Sequence, residues 1–213
     1  MTQAVRKHSD RVQRRSHAER TAETRRKIID AVVDSISDVG FQNTTAAEIV
    51  RRAGVTWGAA QHHFGDKDGI LIAVLEDSFG HFARRLDDIN QKGTSLEKRI
   101  DLFIDRAWEH FGGAEYRSTF EILLNFAGSD QSQPESVWQS EMSQAWQRIW
   151  TRIFSDVQIK RQRARLLQQY TVSVLTGLAS TQMLGKANTQ DNLDQLKLVK
   201  DTLYRELRDQ SKK

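Results

Sequence analysis

TAAEIVRRAGVTWGAAQHHFGDK, residues 45–67, decides how this chain is read. The stretch predicts two short helices around a glycine turn, with another helix starting directly behind them. Thr45 and Glu48 stand at the S/T-x-x-E spacing at which each side chain satisfies a free backbone N–H at a helix start. The helix they open is expected to end near Ala53, because Gly54 can take the left-handed conformation that a tight turn needs. Thr56 is a good N-cap for a helix reaching Phe64, and Asp66 caps the one after it. Ile49, Ala53, Val55, Ala60 and Phe64 fall where the two short helices must pack on each other. Thr56, Trp57, Gly58, Gln61 and His62 are left facing outward. This is the layout of a helix-turn-helix, which places its second helix in the major groove of DNA.

The chemistry of that outward face suits nucleic acid. Gln61 can pair bidentately with an adenine edge. Trp57 can meet a thymine methyl or the sugar-phosphate backbone, and Gly58 lets the backbone approach a phosphate. Lys67 lies in the first turn of a helix, where free N–H groups and a cation together favour a phosphate. The candidate DNA contacts are therefore Thr45, Thr56, Trp57, Gly58, Gln61, His62 and Lys67. Charge distribution points the same way. Residues 1–27 hold nine lysines and arginines against three acids, although the 213-residue chain is only +4 in all. A basic arm beside a helix-turn-helix suits phosphate or minor-groove contact.

Working outward, the pattern is helical throughout. Ile28, Ile29, Val32, Val33 and Ile36 give a stripe for a first helix from about Thr21 to Val39, stopped by Gly40. The helix capped by Asp66 is expected to run to about Asn90. Further helices follow at Leu96–Phe111, about Tyr116–Ala127, Glu135–Phe154, about Lys160–Leu184 and about Asn192–Arg208. A single proline, no cysteine and few strand-like runs argue for an all-α fold of about nine helices in a reducing compartment. No apolar run approaches the ~18 residues of a membrane helix, and no signal-peptide pattern opens the sequence, so a cytoplasmic protein is expected. The expected organisation is a basic arm over 1–20, a helix-turn-helix domain over 21–66 and a helical bundle over 67–213.

The segment from about Arg25 to Leu75 resembles the DNA-binding domain of the tetracycline-repressor (TetR) family of bacterial regulators. The resemblance rests on DVGFQNTT at the end of the first helix and on EIVRRAGVTWGAAQHHFGDKDGIL after it. It covers roughly a quarter of the chain. It implies an all-helical homodimer whose C-terminal domain often binds a small effector, and no cofactor. Four positions depart from the family pattern, among them Trp57, where smaller or polar residues are common. Val50 stands where a small alanine is usual and Ala60 where leucine is common. Gln61 replaces a tyrosine that often contacts a phosphate, so Gln61 either keeps that role or reads a base.

Beyond residue 67 the aromatics are concentrated. Trp138, Met142, Ala145, Trp146, Ile149 and Ile153 share one face of their helix, while Trp150 and Phe154 drift off it and need a second neighbour or a cavity. Phe120, Leu123, Leu124 and Ala127 share one side of a helix whose other side carries Ile122 and Phe126, as in a central helix buried on both. An apolar or aromatic ligand is expected among these helices. The candidate contacts are Phe79, Ile104, Trp108, Phe111, Phe120, Leu124, Trp138, Met142, Trp146 and Trp150. His110, Glu121 and Asn125 are polar groups able to orient it.

The last two helices carry stripes suited to a two-fold four-helix interface: Leu167, Tyr170, Val174 and Leu178, then Leu193, Leu196, Val199, Leu203 and Leu207. The reading that follows is a homodimeric regulator on a palindromic DNA operator, released from it by a small effector. An activator or an effector-independent repressor shares every one of these features. A different class, a helical enzyme, would use His62, His63 and Asp66. Adjacent histidines point about 100° apart on a helix and do not easily share a metal ion.

Overall fold

The computed structural model describes residues 16–89, 92–128, 137–185 and 188–210, and the side chains of all of these except 128, 137–139 and 209–210. Among the described residues there are nine α-helices and no strand: α1 (His17–Val39), α2 (Ala46–Ala53), α3 (Trp57–Phe64), α4 (Lys67–Arg85), α5 (Leu96–Phe111), α6 (Tyr116–Gly128), α7 (Val137–Phe154), α8 (Arg161–Met183) and α9 (Thr189–Gln210). A 3-10 turn, Phe41–Asn43, joins α1 to α2. None of these helices is long and apolar enough to cross a membrane.

Several ends differ from the sequence expectation, each for a local reason. α1 begins at His17 rather than Thr21 and takes in the last residues of the expected arm. Ser16 and Glu19 form a complete capping box: the Glu19 N–H donates to Ser16 Oγ at 3.2 Å, and the Ser16 N–H donates to the Glu19 carboxylate at 2.6 Å. The rest of the basic arm, residues 1–15, lies outside the described residues. At Thr45 only half of the expected box forms. Thr45 Oγ1 accepts the Glu48 N–H at 3.2 Å, but the Thr45 N–H donates to the Asn43 carbonyl and Arg51 and Arg52 take the Glu48 carboxylate. α4 stops at Arg85, short of Asn90, because arginines from other helices cap its free carbonyls. Arg106 donates to the Arg85 carbonyl at 2.8 Å and Arg152 to that of Leu86 at 2.9 Å.

Two apolar cores form. The N-terminal one gathers Ile28, Val32 and Ile36 of α1, Ile49 of α2, Ala60 of α3, and Ile70, Leu71, Val74 and Leu75 of α4. The C-terminal one gathers Phe82 of α4 with the inner faces of α5, α7, α8 and α9. α4 therefore belongs to both. So does α6: Ile122 is fully buried in the N-terminal core, while Tyr116 is buried in the other and Phe120 packs against it. The expectation of a central helix buried on both sides holds for these residues. It fails for Leu124, which is 56% exposed, and for the exposed Ala127. The last turn of α6 leans towards the N-terminal core through Leu123 and Phe126, which turns Leu124 outward.

The apolar stripe of α9 is spent inside the chain. Leu196, Val199, Leu203 and Leu207 are buried in the C-terminal core, and Lys200 of α9 pairs with Asp105 of α5 at 2.6 Å. Leu167, Leu175 and Leu178 of α8 are buried in the same core. The predicted interface stripes thus largely serve intrachain packing; of the α9 stripe only Leu193 stays exposed, together with Leu166 of α8, Leu184 at its end and Leu198 of α9.

Ile122 is a direct probe of the join between the two cores. Replacing Ile122 with alanine is expected to cost about 2–5 kcal/mol, because a fully buried side chain leaves a cavity at the seam. Urea denaturation should show the midpoint falling with an unchanged m-value.

Candidate nucleic-acid interface and adjoining cavity

The α2–α3 turn has the geometry its sequence demands. Gly54 sits at φ 65° and ψ 35°, and the Val55 N–H reaches back to the Val50 carbonyl at 3.1 Å, closing the end of α2. Thr56 Oγ1 accepts the Ala59 N–H at 3.2 Å and starts α3. Ala60 is fully buried against the N-terminal core, where Ile49 is too. The opposite face of α3 presents Gly58, Gln61 and His62, all exposed, with Thr56 exposed at its start and Thr45 exposed at the start of α2. Trp57 departs from expectation. It is half-buried and packs on the N-terminal core, so its ring is part of the wall that holds α3.

The C-terminal end of α3 is held by a residue that sequence reasoning counted only among the arm's charges. Arg25 of α1 donates to the His63 carbonyl at 2.8 Å, and its guanidinium carbon lies 4.3 Å from the Phe64 ring centroid. A cation at a helix C-terminus satisfies an orphan carbonyl and opposes the negative end of the helix dipole. Its seat on Phe64 adds a cation–π contact. His63 itself is half-buried, with its ring between those of His62 and Phe64. Burial, then the charges of His62, Arg25 and His17, hold its pKa below the ordinary value.

Lys67 stands where α4 begins. Asp66 caps that helix, accepting the Gly69 N–H at 2.8 Å, and a Cβ on Gly69 would lie 2.0 Å from the Phe64 carbonyl oxygen. Glycine is therefore required where α4 crosses the end of α3. Lys67 Nζ lies 5.3 Å from the Phe41 ring centroid. Arg51 and Arg52 are tied down instead. Arg51 bonds the Glu48 carboxylate at 2.7 Å and Arg52 bonds Asp38 at 2.6 Å. Hydrogen bonds from Arg51 and Arg52 hold Glu48 down to about 2.

A cavity of about 190 Å³ lies between α4, α5, α6, α7 and α8. Five predicted contacts line it: Phe79, Phe111, Phe120, Met142 and Trp146. Four others do not. Ile104 is fully buried in the core, and Trp150 is sealed against Phe103 and Phe154, with ring centroids 6.2 and 4.8 Å away. That second neighbour is what Trp150 and Phe154 needed. Trp108 packs on the C-terminal core beside Gly112, and Leu124 faces outward. The side chain of Trp138 lies outside the described residues. Of the three polar candidates, only His110 lines the cavity; Glu121 turns away to accept the Phe41 N–H at 3.1 Å, and Asn125 is exposed. Phe82 and Tyr116 were missed. Helical spacing was the available signal, since each lies three or four residues from a named neighbour, Phe79 or Phe120.

Burial, then the charges of Arg85 and His81, push the His110 pKa from 6.5 down to about 4. The imidazole is therefore neutral at neutral pH. The cavity and α3 share structural members. α4 runs from Lys67 to Phe82, about 22 Å at 1.5 Å per residue. α6 carries Phe120 on the cavity side, and next to it Glu121 holds the turn after α1.

An exposed helix-turn-helix face joined through shared helices to an aromatic cavity defines a DNA-binding regulator. Residues 28–74 match the family model described as bacterial regulatory proteins, tetR family. The HTH-type transcriptional regulator BetI of Cronobacter sakazakii is 30% identical over 161 residues, which is 72% of this chain and 76% of that protein. The crystal structure of the multidrug binding protein EbrR complexed with imidazole has a TM-score of 0.63 at 16% identity, over 86% of this chain and 94% of that one. The transcriptional regulator FadR of Bacillus subtilis, in complex with stearoyl-CoA, has a TM-score of 0.61 at 19% identity, over 85% and 97%. This chain belongs to the tetR family of bacterial regulatory proteins and is a helix-turn-helix transcriptional regulator. Relatives of this kind are regulators, which sets aside an enzyme built on His62, His63 and Asp66.

Arg25→Met should weaken DNA binding by about tenfold, the order of a cation at a helix C-terminus. The slope of log affinity against log salt should stay unchanged, whereas loss of a direct phosphate contact lowers it by about 1. A second expectation concerns pH. Because His110 has a lowered pKa in the folded chain, the stability its neutral form contributes is full above about 6.5 and is lost as pH falls towards 4. Thermal melts from pH 7 to pH 4.5 should show this decline, and His110→Phe should flatten it.

Proposed function

We propose that this regulator is a homodimeric repressor that binds a palindromic operator in the cytoplasm and leaves it when an apolar or aromatic effector fills the cavity. The domains are read as an arm over 1–20, a DNA-binding unit over 21–66 and an effector and dimerisation unit over 67–213. Thr45, Thr56, Gly58, Gln61, His62 and Lys67 are the proposed DNA contacts, with Trp57 offering the part of its ring left uncovered. Lys67 anchors a phosphate from the start of α4, where its ammonium is seated on Phe41 rather than on an acid.

The observation that carries this reading is the span of α4. Lys67 stands at its start, and Phe79 and Phe82 line the cavity near its other end. A ligand that wedges the cavity open moves the same helix that seats the phosphate. The affinity for DNA falls only if the effector binds the released state more tightly. No carboxylate among the described residues lines the cavity, and half of its lining residues are aromatic, which favours an apolar or aromatic effector.

Dimerisation is assigned to α8 and α9. Leu166, Ser173, Gly177 and Leu184 follow one line along α8, within about 40° of arc, and Gly177 has open space where a side chain would stand. Small residues on such a line let a second helix approach. Two-fold pairing through them sets two α3 helices about 34–36 Å apart for successive major grooves.

Two measurements test the reading. Gln61→Ala combined with Lys67→Ala should abolish tight binding to DNA upstream of the chain's own gene at low salt, with the fold intact. Wild-type protein that fails to bind any such DNA refutes the repressor. A Cβ at Gly177 meets nothing within 4 Å, so Gly177→Phe should keep the fold, checked by its melt, while sedimenting as a monomer with weak operator affinity. An unchanged dimer would move the interface elsewhere.

A further inference from the structure

We infer that the effector is a neutral aromatic compound of about eight to ten non-hydrogen atoms with one hydrogen-bonding group, and that His110 is the residue that selects it. This rests on the effector reading above and narrows it to a ligand class and a specificity determinant.

Size comes first. An engineered apolar cavity of about 150 Å³ stays dry and holds benzene. At about 190 Å³, the present cavity has room for a substituted benzene or a small bicycle. Its rings already pack edge to face: Phe82 meets Phe79 at 5.9 Å and Phe111 at 6.1 Å, and Trp146 lies 4.9 Å from Phe82. A planar ring extends that packing.

Charge comes next. No carboxylate among the described residues lines the cavity itself, and the groove beyond His110 carries Arg85 and His81 together with Asp77, Glu109 and Glu115. Within the cavity an organic cation meets no described counter-charge, and an anion meets no free cation, because Arg85 in the groove is paired with Glu109 at 3.5 Å.

The polar groups of the wall then single out one residue. Ser78 and Thr119 bond each other at 3.0 Å, and the Tyr116 hydroxyl faces Thr176. No described residue hydrogen-bonds the His110 imidazole. Arg99 Nε is the one sealed side-chain polar atom without a partner among the described residues, so the imidazole nitrogens open onto free space. His110 borders both the cavity and a groove of about 760 Å³ between α1, α4, α5 and α6. A ligand that fills the cavity strips water from this imidazole. Without a group to replace that water, the ligand leaves a buried polar atom unmatched, which lowers affinity by about tenfold or more.

The test uses isosteric pairs on the full-length protein: p-cresol against p-xylene, and indole against indene. The readouts are the ligand-induced rise in Tm and release of operator DNA. In wild type, p-cresol and indole should act at concentrations at least about tenfold lower than their apolar partners. His110→Gln should keep that preference and His110→Leu should erase it. Equal potency within each pair in wild type, or a preference that survives His110→Leu, overturns the inference. Should His110→Leu not fold, the wild-type pairs and His110→Gln still decide. Release by benzyltrimethylammonium or by a long-chain acyl compound, blocked by Phe120→Trp, would leave the effector reading standing and refute this one. If no compound of any class raises Tm or releases DNA, both readings fail.

Discussion

Everything in this molecule that resembles a switch depends on helices that belong to two cores at once. α4 buries Ile70, Leu71, Val74 and Leu75 in the N-terminal core and Phe82 in the C-terminal one. α6 does the same through Ile122 on one side and Tyr116 on the other. Protein interiors are packed like crystals, so a displaced helix cannot be absorbed by slack on either side. Polar contacts tighten the seam. Ser118 of α6 donates to the Val33 carbonyl of α1 at 3.3 Å, and Arg26 of α1 reaches Asp77 of α4 at 3.4 Å. The DNA-binding unit and the cavity are distinct in composition and inseparable in mechanics.

The eight-residue α3 has little helical stability of its own, because so short a helix barely outweighs its nucleation cost. Its ends do the work. Thr56 and the Gly54 turn fix the start, and Arg25 fixes the finish through the His63 carbonyl and the Phe64 ring. Trp57 and Ala60 press one side onto the core. The exposed face is thus oriented by contacts on every other side, as recognition of base edges requires.

What could be read from residue order divides along the same physical line. Features set within a turn of helix were legible: α5 runs from Leu96 to Phe111 as expected, and Gly54, Thr56 and Asp66 cap as expected. The Ser16–Glu19 box was equally local and was overlooked behind the run of basic residues. Features set by partners far along the chain were not legible. Nothing near Arg25 announces a carbonyl 38 residues away. The leucines of α9 were visible as a stripe, but periodicity names a buried face and not its neighbour, and here that neighbour is α5. Trp146 and Trp150 differ by only about 40° around α7, yet one lines the cavity and the other is sealed in the core. A pocket is a mismatch between surfaces, and no single helix encodes it.

The energies required of the switch are small on this scale. A hundredfold loss of operator affinity is a coupling of about 2.7 kcal/mol, within the ordinary range for two linked sites. At about 25 cal/mol per Å² of apolar surface, it requires the effector to hide only about 110 Å² more in the released state than in the bound one. One aromatic ring face is of that order. A cavity walled by Phe79, Phe82, Phe111, Phe120 and Trp146 can supply the difference by closing more completely around a ring once α4 has shifted. The same arithmetic explains why the walls are rigid aromatics. A wall that collapsed on the empty cavity would cost the ligand its advantage, because reopening would consume the surface gained. Edge-to-face packing among these rings stiffens the walls of the cavity, so binding energy is left for the proposed movement of the helix.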